Sequence, residues 1–472
     1  MDRRDFLKAM GAGTVATAAI VSGCKQPPQT TAGGFSTGEV PTDQMTYRTN
    51  RHGDQVSLLG YGCMRLPTIG NTSGREDASE LDQEQINRLT DYAIEHGVNL
   101  FDTAPPYCKG RSEHAMGIAL SRHPREKYYV SSKMSNFPAS TWSREASINI
   151  YRNTLKELKL DYIDYMMLHA IGGTSRDLDG NELSPMQVFE ARFINNGILD
   201  FLMEEREKGR IRNLGFSYHG DVNVFDRALG MNDSVHWDHV LIQHNYVDWH
   251  HEAIEQGGDA DSEYLYNSLA ALDIPIFVME PLLGGTLATL YDSAVRRLKE
   301  RDPQASVASW AFRFAGSAPR ILTVLSGMTY MEHLQDNIRT YSPLKPLDEE
   351  EYALLESIAH QYSNFPTVPC TSCQYCMPCK YGINIPGVFA HYNKCVNESN
   401  VALADDADSD RKAYRHARRA FLVGYDRSVP RLRQADHCIG CGDCVHKCPQ
   451  KIDIPAQMKR INGYVEKLKT QK

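Results

Sequence analysis

The segment EQINRLTDYAIEHGVNLFD, residues 84–102, contains a helix-like half followed by a strand-like half. In the first half, Ile86 and Leu89 begin an apolar stripe at helical spacing, and a glycine ends the pattern as it often ends a helix. The second half, VNLFD (98–102), is a short apolar run that ends in the acidic Asp102. The segment therefore predicts an amphipathic helix that packs on a buried strand.

The same alternation of helix-like and strand-like segments continues along the chain on both sides. The strand-like runs are SLLGYG (57–62), VNLFD (98–102), YYVSSK (128–133), YIDYMMLH (162–169), NLGFS (213–217), HVLIQ (239–243), IPIFVME (274–280) and ILTVLSG (321–327). Eight strand–helix units within about 300 residues match the size of a (β/α)8 barrel. The sequence therefore predicts an α/β fold of the TIM-barrel class.

Most of the predicted strands end in a polar or ionisable side chain. These side chains belong to Asp102, Lys133, His169, Ser217, Gln243, Glu280 and Ser326. In a (β/α)8 barrel the carboxyl ends of the strands meet on one face, and that face carries the active site. The sequence therefore predicts a ring of polar groups around one pocket.

Two cysteine motifs follow the barrel, CTSCQYCMPCKYGINIP (370–386) and CIGCGDCVHKCPQKIDIP (438–455). Their cysteines are Cys370, Cys373, Cys376, Cys379, Cys438, Cys441, Cys444 and Cys448. The second motif has the C-x2-C-x2-C-x3-C-P spacing of [4Fe–4S] ferredoxins, in which the fourth thiol crosses to the other cluster. The first motif is one residue shorter and has a lysine in place of the proline. The two motifs together predict two [4Fe–4S] clusters.

Zinc held by thiolates is the main alternative for these cysteines. Zinc sites usually divide their ligands into two separated pairs, whereas each motif here has closely spaced thiols, which favours iron–sulfur clusters. The residues between the motifs have a mostly helical pattern and include the basic segment 411–433. That segment forms either a solvated helix face or a docking face for an acidic electron partner. We predict a mainly α-helical ferredoxin-type domain.

The N-terminus resembles a twin-arginine export signal. Paired arginines precede an Ala/Gly/Thr-rich run within residues 1–23, and the run ends in a lipoprotein-like cleavage box with Cys24 as the lipidated residue. The alternative is a chance basic start before an ordinary helix. Residues 24–45 have the composition of a flexible linker, and we expect the barrel over 46–345 and a connecting helix plus the ferredoxin-type domain over 346–472. The protein would then be a periplasmic or cell-envelope lipoprotein, held at the membrane only by its lipid anchor.

Several barrel segments resemble those of the aldo/keto reductases, in the same order along the chain. They are NLFDTAPPYCKGRSEHAMGIAL, VSSKM, DYIDYMMLHA, GRIRNLGFSYH and LIQHNY, and the similarity extends over residues 53–340. With its cysteine region the chain resembles the iron–sulfur-bearing branch of that family. The resemblance implies a catalytic tetrad of Asp102, Tyr107, Lys133 and His169.

These four residue types suit the reduction of a carbonyl group. Tyr107 would donate a proton to the oxygen as negative charge develops on it. A phenol with a pKa of about 10 is a weak acid at neutral pH unless a cation stabilises the phenolate. Lys133 would supply that cation, Asp102 would hold the ammonium in place, and His169 would orient the substrate oxygen.

The resemblance also implies NADP(H) or NAD(H) as a cofactor. Ser217 and Gln243 match positions that bind the nicotinamide carboxamide, and Asn337 matches a position on the adenosine side. Other positions depart from the family pattern: Tyr218 replaces an asparagine, Met279 replaces an aromatic residue, Gly327, Met328 and His333 replace a lysine, a serine and an arginine, and Asp336 approximates a glutamate. The loss of these cations predicts weak binding of the NADPH 2′-phosphate.

We therefore expect an exported oxidoreductase that interconverts a small carbonyl and an alcohol and is coupled through two clusters to a redox partner protein. The alternative is an electron-transfer protein whose barrel is an inactive cofactor or partner scaffold. Electrons would reach the barrel either from a nicotinamide bound before export or from the clusters. Because a cluster carries one electron and a hydride carries two, the second route needs a transducer such as a flavin, for which the sequence shows no recognisable fingerprint. The formal net charge of −8 argues against a nucleic-acid partner.

Overall fold

The computed structural model describes residues 34–36, 38–70, 80–250, 261–363, 367–398, 400–401 and 411–470. Within these ranges, no helix combines the length and the apolar character that a membrane crossing requires. The predicted export signal and Cys24 lie outside the described residues.

Eight parallel strands form a closed barrel, and each strand pairs with the next one along the chain. The strands are β1 Leu59–Gly62, β2 Leu100–Asp102, β3 Tyr129–Met134, β4 Ile163–Ile171, β5 Ile211–Tyr218, β6 His239–Gln243, β7 Ile276–Met279 and β8 Ile321–Ser326. The barrel closes where β8 pairs with β1, with Leu325 opposite Gly60. The predicted TIM-barrel fold is therefore confirmed, and each predicted strand overlaps one barrel strand.

The α-helices are amphipathic or buried segments that follow the strands and then continue into the C-terminal region. They are α1 Gln83–Glu95, α2 Ser112–Leu120, α3 Arg144–Leu158, α4 Pro185–Phe189, α5 Ile198–Glu207, α6 Val222–Leu229, α7 Asn232–Val235, α8 Ser262–Ala271, α9 Asp292–Arg301, α10 Val307–Ser317, α11 Met331–Tyr341, α12 Glu349–Ser363, α13 Ile385–Asn397, α14 Arg411–Ser428 and α15 Ile454–Thr470. Short hairpins pair Tyr47–Thr49 with Gln55–Ser57 and Ser175–Arg176 with Glu182–Leu183.

Buried side chains fill the interior of the barrel, as the fold requires. This interior cluster includes Val56, Leu100, Tyr165, Met167, Leu241, Phe277, Leu322 and Leu325. Asn50, in the turn of the first hairpin, donates a hydrogen bond of 2.9 Å to the Tyr165 hydroxyl. The hairpin therefore caps the end of the barrel at which the strands begin, which leaves the opposite end for the polar side chains.

Helix α12 connects the barrel to the C-terminal domain. Glu351 near its start forms a buried ion pair of 2.5 Å with Arg313 of α10, which fixes the helix against the barrel. In the C-terminal domain, helices α13, α14 and α15 share one apolar core that contains Phe389, Phe421 and Ile461. This helical domain has the class predicted from the sequence.

Candidate active site

A buried ion pair lies at the carboxyl ends of β2 and β3. Lys133 Nζ donates to both carboxylate oxygens of Asp102, at 2.8 and 2.7 Å, and to the Thr103 carbonyl oxygen at 2.8 Å. Ser131 Oγ donates to the same carboxylate at 2.8 Å. The ammonium therefore has three acceptors in a site that excludes water, since Lys133 is 1% and Asp102 3% exposed.

Tyr107 lies next to this ion pair, on the short helical turn Tyr107–Gly110 after β2. Its ring centroid is 4.9 Å from Lys133 Nζ and 6.0 Å from the His169 ring. The following Cys108 and Lys109 have left-handed backbone angles, with φ of 51° and 58°, which non-glycine residues rarely adopt. This strained turn sets the direction in which the tyrosine points, and the structure brings the four predicted tetrad residues together.

His169 lies near the end of β4, which continues beyond it to Ile171. Its Nδ1 is 2.6 Å from Ser135 Oγ, and its carbonyl oxygen accepts a bond of 2.8 Å from Arg192 Nη2. Burial lowers the pKa of His169 well below 6.5, and the positive charges of Lys133 and Arg192 lower it further. The imidazole is therefore neutral at neutral pH and offers one N–H donor.

The residues predicted to hold the nicotinamide are engaged within the chain. Ser217 Oγ accepts a bond of 2.8 Å from the Ala170 N–H. Gln243 donates through Nε2 to Asp248 at 2.5 Å and accepts through Oε1 from Gln450 of the C-terminal domain at 3.2 Å. The donors and acceptors predicted to recognise a carboxamide thus already have partners.

Asn337, predicted to lie on the adenosine side, and Tyr218, beside the predicted nicotinamide-binding serine, are both buried. Asn337 Nδ2 donates to Ser326 Oγ at 2.9 Å, and both side chains are buried. Tyr218, which stands where the family has an asparagine, donates its hydroxyl to the Gly220 carbonyl and packs its ring against Phe225, 5.1 Å between centroids. Its side chain therefore packs against α6 in the outer layer of the barrel.

The eight motif cysteines form two sets of four thiols in the C-terminal domain. The first set lines one cavity and consists of Cys370, Cys373, Cys376 and Cys448. The second set lines another cavity and consists of Cys379, Cys438, Cys441 and Cys444. Each motif thus gives three thiols to one set and its fourth thiol to the other, which is the exchange that the spacing predicted.

The chemistry of each set suits an iron–sulfur cluster. Apolar side chains such as Ile385 and Ile454 line both cavities. Burial raises the pKa of the Cys370 thiol to about 12, so that the thiol keeps its proton at neutral pH unless a metal replaces it. Within the part of the chain that is described, no three Cys, His, Asp or Glu side chains converge on a single metal ion.

The first thiol set adjoins the mouth of the barrel. Gln450 lines its cavity and donates to Gln243 at the end of β6. Beside Cys370, the Thr371 carbonyl oxygen accepts a bond of 2.9 Å from Arg65, which follows β1. A Cβ atom at Gly284, in the loop after β7, would lie 2.3 Å from the Thr371 backbone. Close packing between the two domains therefore depends on a glycine at this position.

Comparison with known families agrees with this geometry. The family model described as "Aldo/keto reductase family" matches residues 59–360, which is more than half of the chain. The chain belongs to the aldo/keto reductase family. A second model, described as "4Fe-4S dicluster domain", matches residues 369–452. This aldo/keto reductase is therefore an oxidoreductase that carries an iron–sulfur domain.

Its similarity to known proteins covers the barrel. An uncharacterized oxidoreductase of Bacillus subtilis, YqkF, is 25% identical over 328 residues, which is 65% of this chain and 94% of the relative. L-galactose dehydrogenase of Arabidopsis thaliana is 23% identical over 332 residues, 66% of this chain and 93% of that protein. Among solved structures, the aldo-keto reductase AKR11C1 of Bacillus halodurans in its holo form is 22% identical, with a TM-score of 0.49, over 66% of this chain and 96% of that one.

Sequence reasoning missed two residues that hold His169, the predicted catalytic histidine, in place. Ser135 is two residues beyond Lys133 and on the same strand-end face, a spacing that could have identified it. Arg192 lies in a π-helical segment, Glu190–Ile194, within a long loop region that has no recognisable motif. Its guanidinium also stacks on Phe137, 4.7 Å from the ring centroid, and Phe137 in turn packs on His169.

A buried carboxyl group behind the tetrad was also missed. Glu113 of α2 accepts a bond of 2.6 Å from Ser132 Oγ, and burial raises the pKa of Glu113 to about 7. The periodicity of α2 alone places this residue on a buried face, but it does not distinguish a buried glutamate from a solvated one.

Proposed function

We propose that this protein is an exported oxidoreductase whose barrel interconverts a carbonyl and an alcohol, coupled to electron transfer through two [4Fe–4S] clusters. One observation carries the proposal. Tyr107 lies beside the buried Lys133 ammonium, and at the same barrel mouth Gln450, which lines the cavity of the first thiol set, donates a hydrogen bond to Gln243. An acid–base group and an electron-transfer domain thus share one face.

The barrel residues have distinct tasks in carbonyl reduction. Tyr107 donates its phenolic proton to the substrate oxygen as negative charge develops there. Lys133 stabilises the resulting phenolate, and the carboxylate of Asp102 holds the ammonium in place. His169, neutral at physiological pH, donates from Nε2 to the same substrate oxygen when Ser135 donates to its Nδ1.

Two clusters fit the two sets of four thiols, with one cluster in each set. When bound, each [4Fe–4S] cluster would exchange one electron at a time, so a two-electron carrier such as a flavin would be needed between the clusters and the carbonyl. The reaction also takes two protons, and Tyr107 gives the one that the oxygen binds. The other proton would reach the carbon together with both electrons, as hydride from that carrier.

A redox partner protein would approach the second thiol set. Cys441 is exposed, and the neighbouring Ile439 is 64% exposed. Leu432, in the turn that precedes this motif, is 79% exposed and lies between two exposed arginines. Exposed apolar side chains next to arginines suit an acidic electron carrier. The first set faces the barrel, so electrons would enter at the second set and leave at the first.

Export rests on the N-terminal sequence. The paired arginines and the cleavage box that ends in Cys24 support transport of the folded protein and lipid attachment. Fractionation of cells should find the protein in the membrane fraction of the envelope, and Cys24→Ser should release it from membranes. A cytoplasmic location of the wild-type protein would contradict this part of the proposal.

The catalytic proposal is tested by aldehyde turnover with chemically reduced viologen as the electron donor. Tyr107→Phe should lower the rate by about 100-fold or more, since it removes the proton donor. Tyr129→Phe is the matched control, because Tyr129 begins β3 at the opposite end of the barrel, and it should leave the rate unchanged. Equal activity of wild type and Tyr107→Phe would refute the mechanism and favour an electron-transfer protein with an inactive barrel.

The cluster proposal is tested separately by metal and sulfide analysis after anaerobic purification. Two clusters predict eight iron atoms and eight inorganic sulfides per chain. A colourless protein that contains zinc would refute it.

A further inference from the structure

The 2′-phosphate end of the predicted dinucleotide site is covered by Arg65. At Gly327, where the family has a lysine, the carbon stem of Arg65 lies 3.5 Å from the point at which a side chain would begin. The guanidinium of Arg65 passes this point and donates to the Thr371 carbonyl oxygen in the iron–sulfur domain. The cation nearest to this position thus holds the two domains together.

The adenosine end is covered by residues that precede the barrel. The Ser36 N–H donates to Asp336 Oδ1 at 2.8 Å, and Ser306 Oγ donates to Asp336 Oδ2 at 2.6 Å. The ring of Phe35 lies 5.9 Å from the ring of His333, which stands where the family has an arginine. These contacts place part of the predicted linker over the start of α11.

His333, at this end, carries no charge that would attract a phosphate. Burial lowers the pKa of His333 below 6.5, so its imidazole is neutral at neutral pH. Both carboxylate oxygens of the buried Asp336 already accept bonds, from Ser36 and from Ser306. A nucleotide would therefore have to displace Phe35 and Ser36, and the cation beside Gly327, Arg65, is already bonded to Thr371 in the iron–sulfur domain.

The nicotinamide end is closed by the C-terminal domain, through the bond between Gln450 and Gln243 and the packing of Thr371 on Gly284. We infer that the described residues leave no open dinucleotide groove, because Phe35 and Ser36 cover one end and the iron–sulfur domain covers the other. The protein takes its reducing equivalents from the iron–sulfur domain and does not exchange them with free NAD(P)H. The inference deepens the proposed function and rests on it for the source of electrons.

The test uses the full-length, cluster-loaded protein. Its bound small molecules are first released with acid and analysed by chromatography, and the intact protein is then titrated with NADPH and with NADH by calorimetry. We expect no stoichiometric dinucleotide in the extract and no saturable binding up to about 1 mM. A dinucleotide released at one per chain, or a Kd below about 1 mM, would overturn the inference. An NADPH-dependent aldo/keto reductase treated in parallel is the positive control.

A variant separates closure of the groove from the mere loss of cations. Gly327→Lys with His333→Arg restores two positive charges, and the contact at Gly327 leaves room for a side chain. If Arg65 and Phe35 close the dinucleotide groove, this double variant should still not bind NADPH. Binding that appears with the two cations alone would show that the groove is open, and would overturn the inference. Neither result bears on the Tyr107→Phe comparison, which tests the proposed function with viologen alone.

Discussion

Replacing Lys133 with methionine should lower the free energy of unfolding of the barrel by about 3–5 kcal/mol, because it leaves a buried carboxylate without its partner. The structure supports the upper part of this range. Asp102 is 3% exposed and loses both of its bonds to the ammonium, keeping only the bond from Ser131 Oγ. Thr103 loses the partner of its carbonyl oxygen as well.

The double variant Asp102→Asn/Lys133→Met should recover most of this loss, because no uncompensated charge remains in the interior. Its activity should nevertheless stay as low as that of the single variant, since no cation then stabilises the phenolate of Tyr107. Stability and activity should therefore separate in this pair of variants.

The assay is urea-induced unfolding followed by tryptophan fluorescence. All four tryptophans, at positions 142, 237, 249 and 310, lie in the barrel, so the signal reports the barrel alone. The reasoning would be refuted if Lys133→Met lost less than about 1 kcal/mol, the value expected of a solvent-exposed pair. It would also be refuted if the double variant were no more stable than the single variant.

Three further changes probe other parts of the molecule. Gly284→Ala should loosen the contact with Thr371 and shift the electron paramagnetic resonance spectrum of the reduced first cluster. Gly285→Ala is the control, because Gly285 also has a positive φ but a Cβ there would meet no atom within 4 Å. Equal spectra of the two variants would contradict the packing argument. Ser135→Ala should lower kcat about tenfold, the equivalent of one hydrogen bond to the His169 imidazole, and Ser135→Thr should restore kcat. An unchanged kcat in the alanine variant would show that Ser135 does not position His169. Burial lowers the pKa of His239 to about 3, so the unfolded chain binds a proton there below pH 6.5 while the folded chain does not, and stability falls as the pH falls. His239→Leu should therefore remove about 1.4 kcal/mol of the wild-type loss of unfolding free energy between pH 7.5 and pH 5.5, measured by urea unfolding, and an unchanged pH dependence would contradict it.

The barrel and its tetrad could be predicted because their signals are local. Each strand is a short apolar run, and the tetrad residues Asp102, Lys133 and His169 lie at or near the strand ends, where the fold brings them together. The crossing of Cys379 and Cys448 between the thiol sets also followed from spacing alone.

The closure of the barrel mouth could not be predicted in this way. The bond between Gln450 and Gln243 joins residues 207 positions apart, and the bond between Ser36 and Asp336 joins residues 300 positions apart. Gln450, Gln243 and Ser36 belong to no motif that predicts these two contacts. The composition of residues 24–45 indicates only a flexible linker. Such contacts depend on how two folded surfaces meet.

The exchange of thiols between the two motifs has a consequence for biosynthesis. The first set takes three thiols from residues 370–376 and its last from Cys448, so a growing chain cannot complete it until that residue has left the ribosome. The second set likewise needs Cys379 and the later motif. Completion of either thiol set must therefore wait for translation of the second motif. A chain truncated before Cys444 would leave both sets incomplete, whereas one truncated between Cys444 and Cys448 would leave only the first set incomplete.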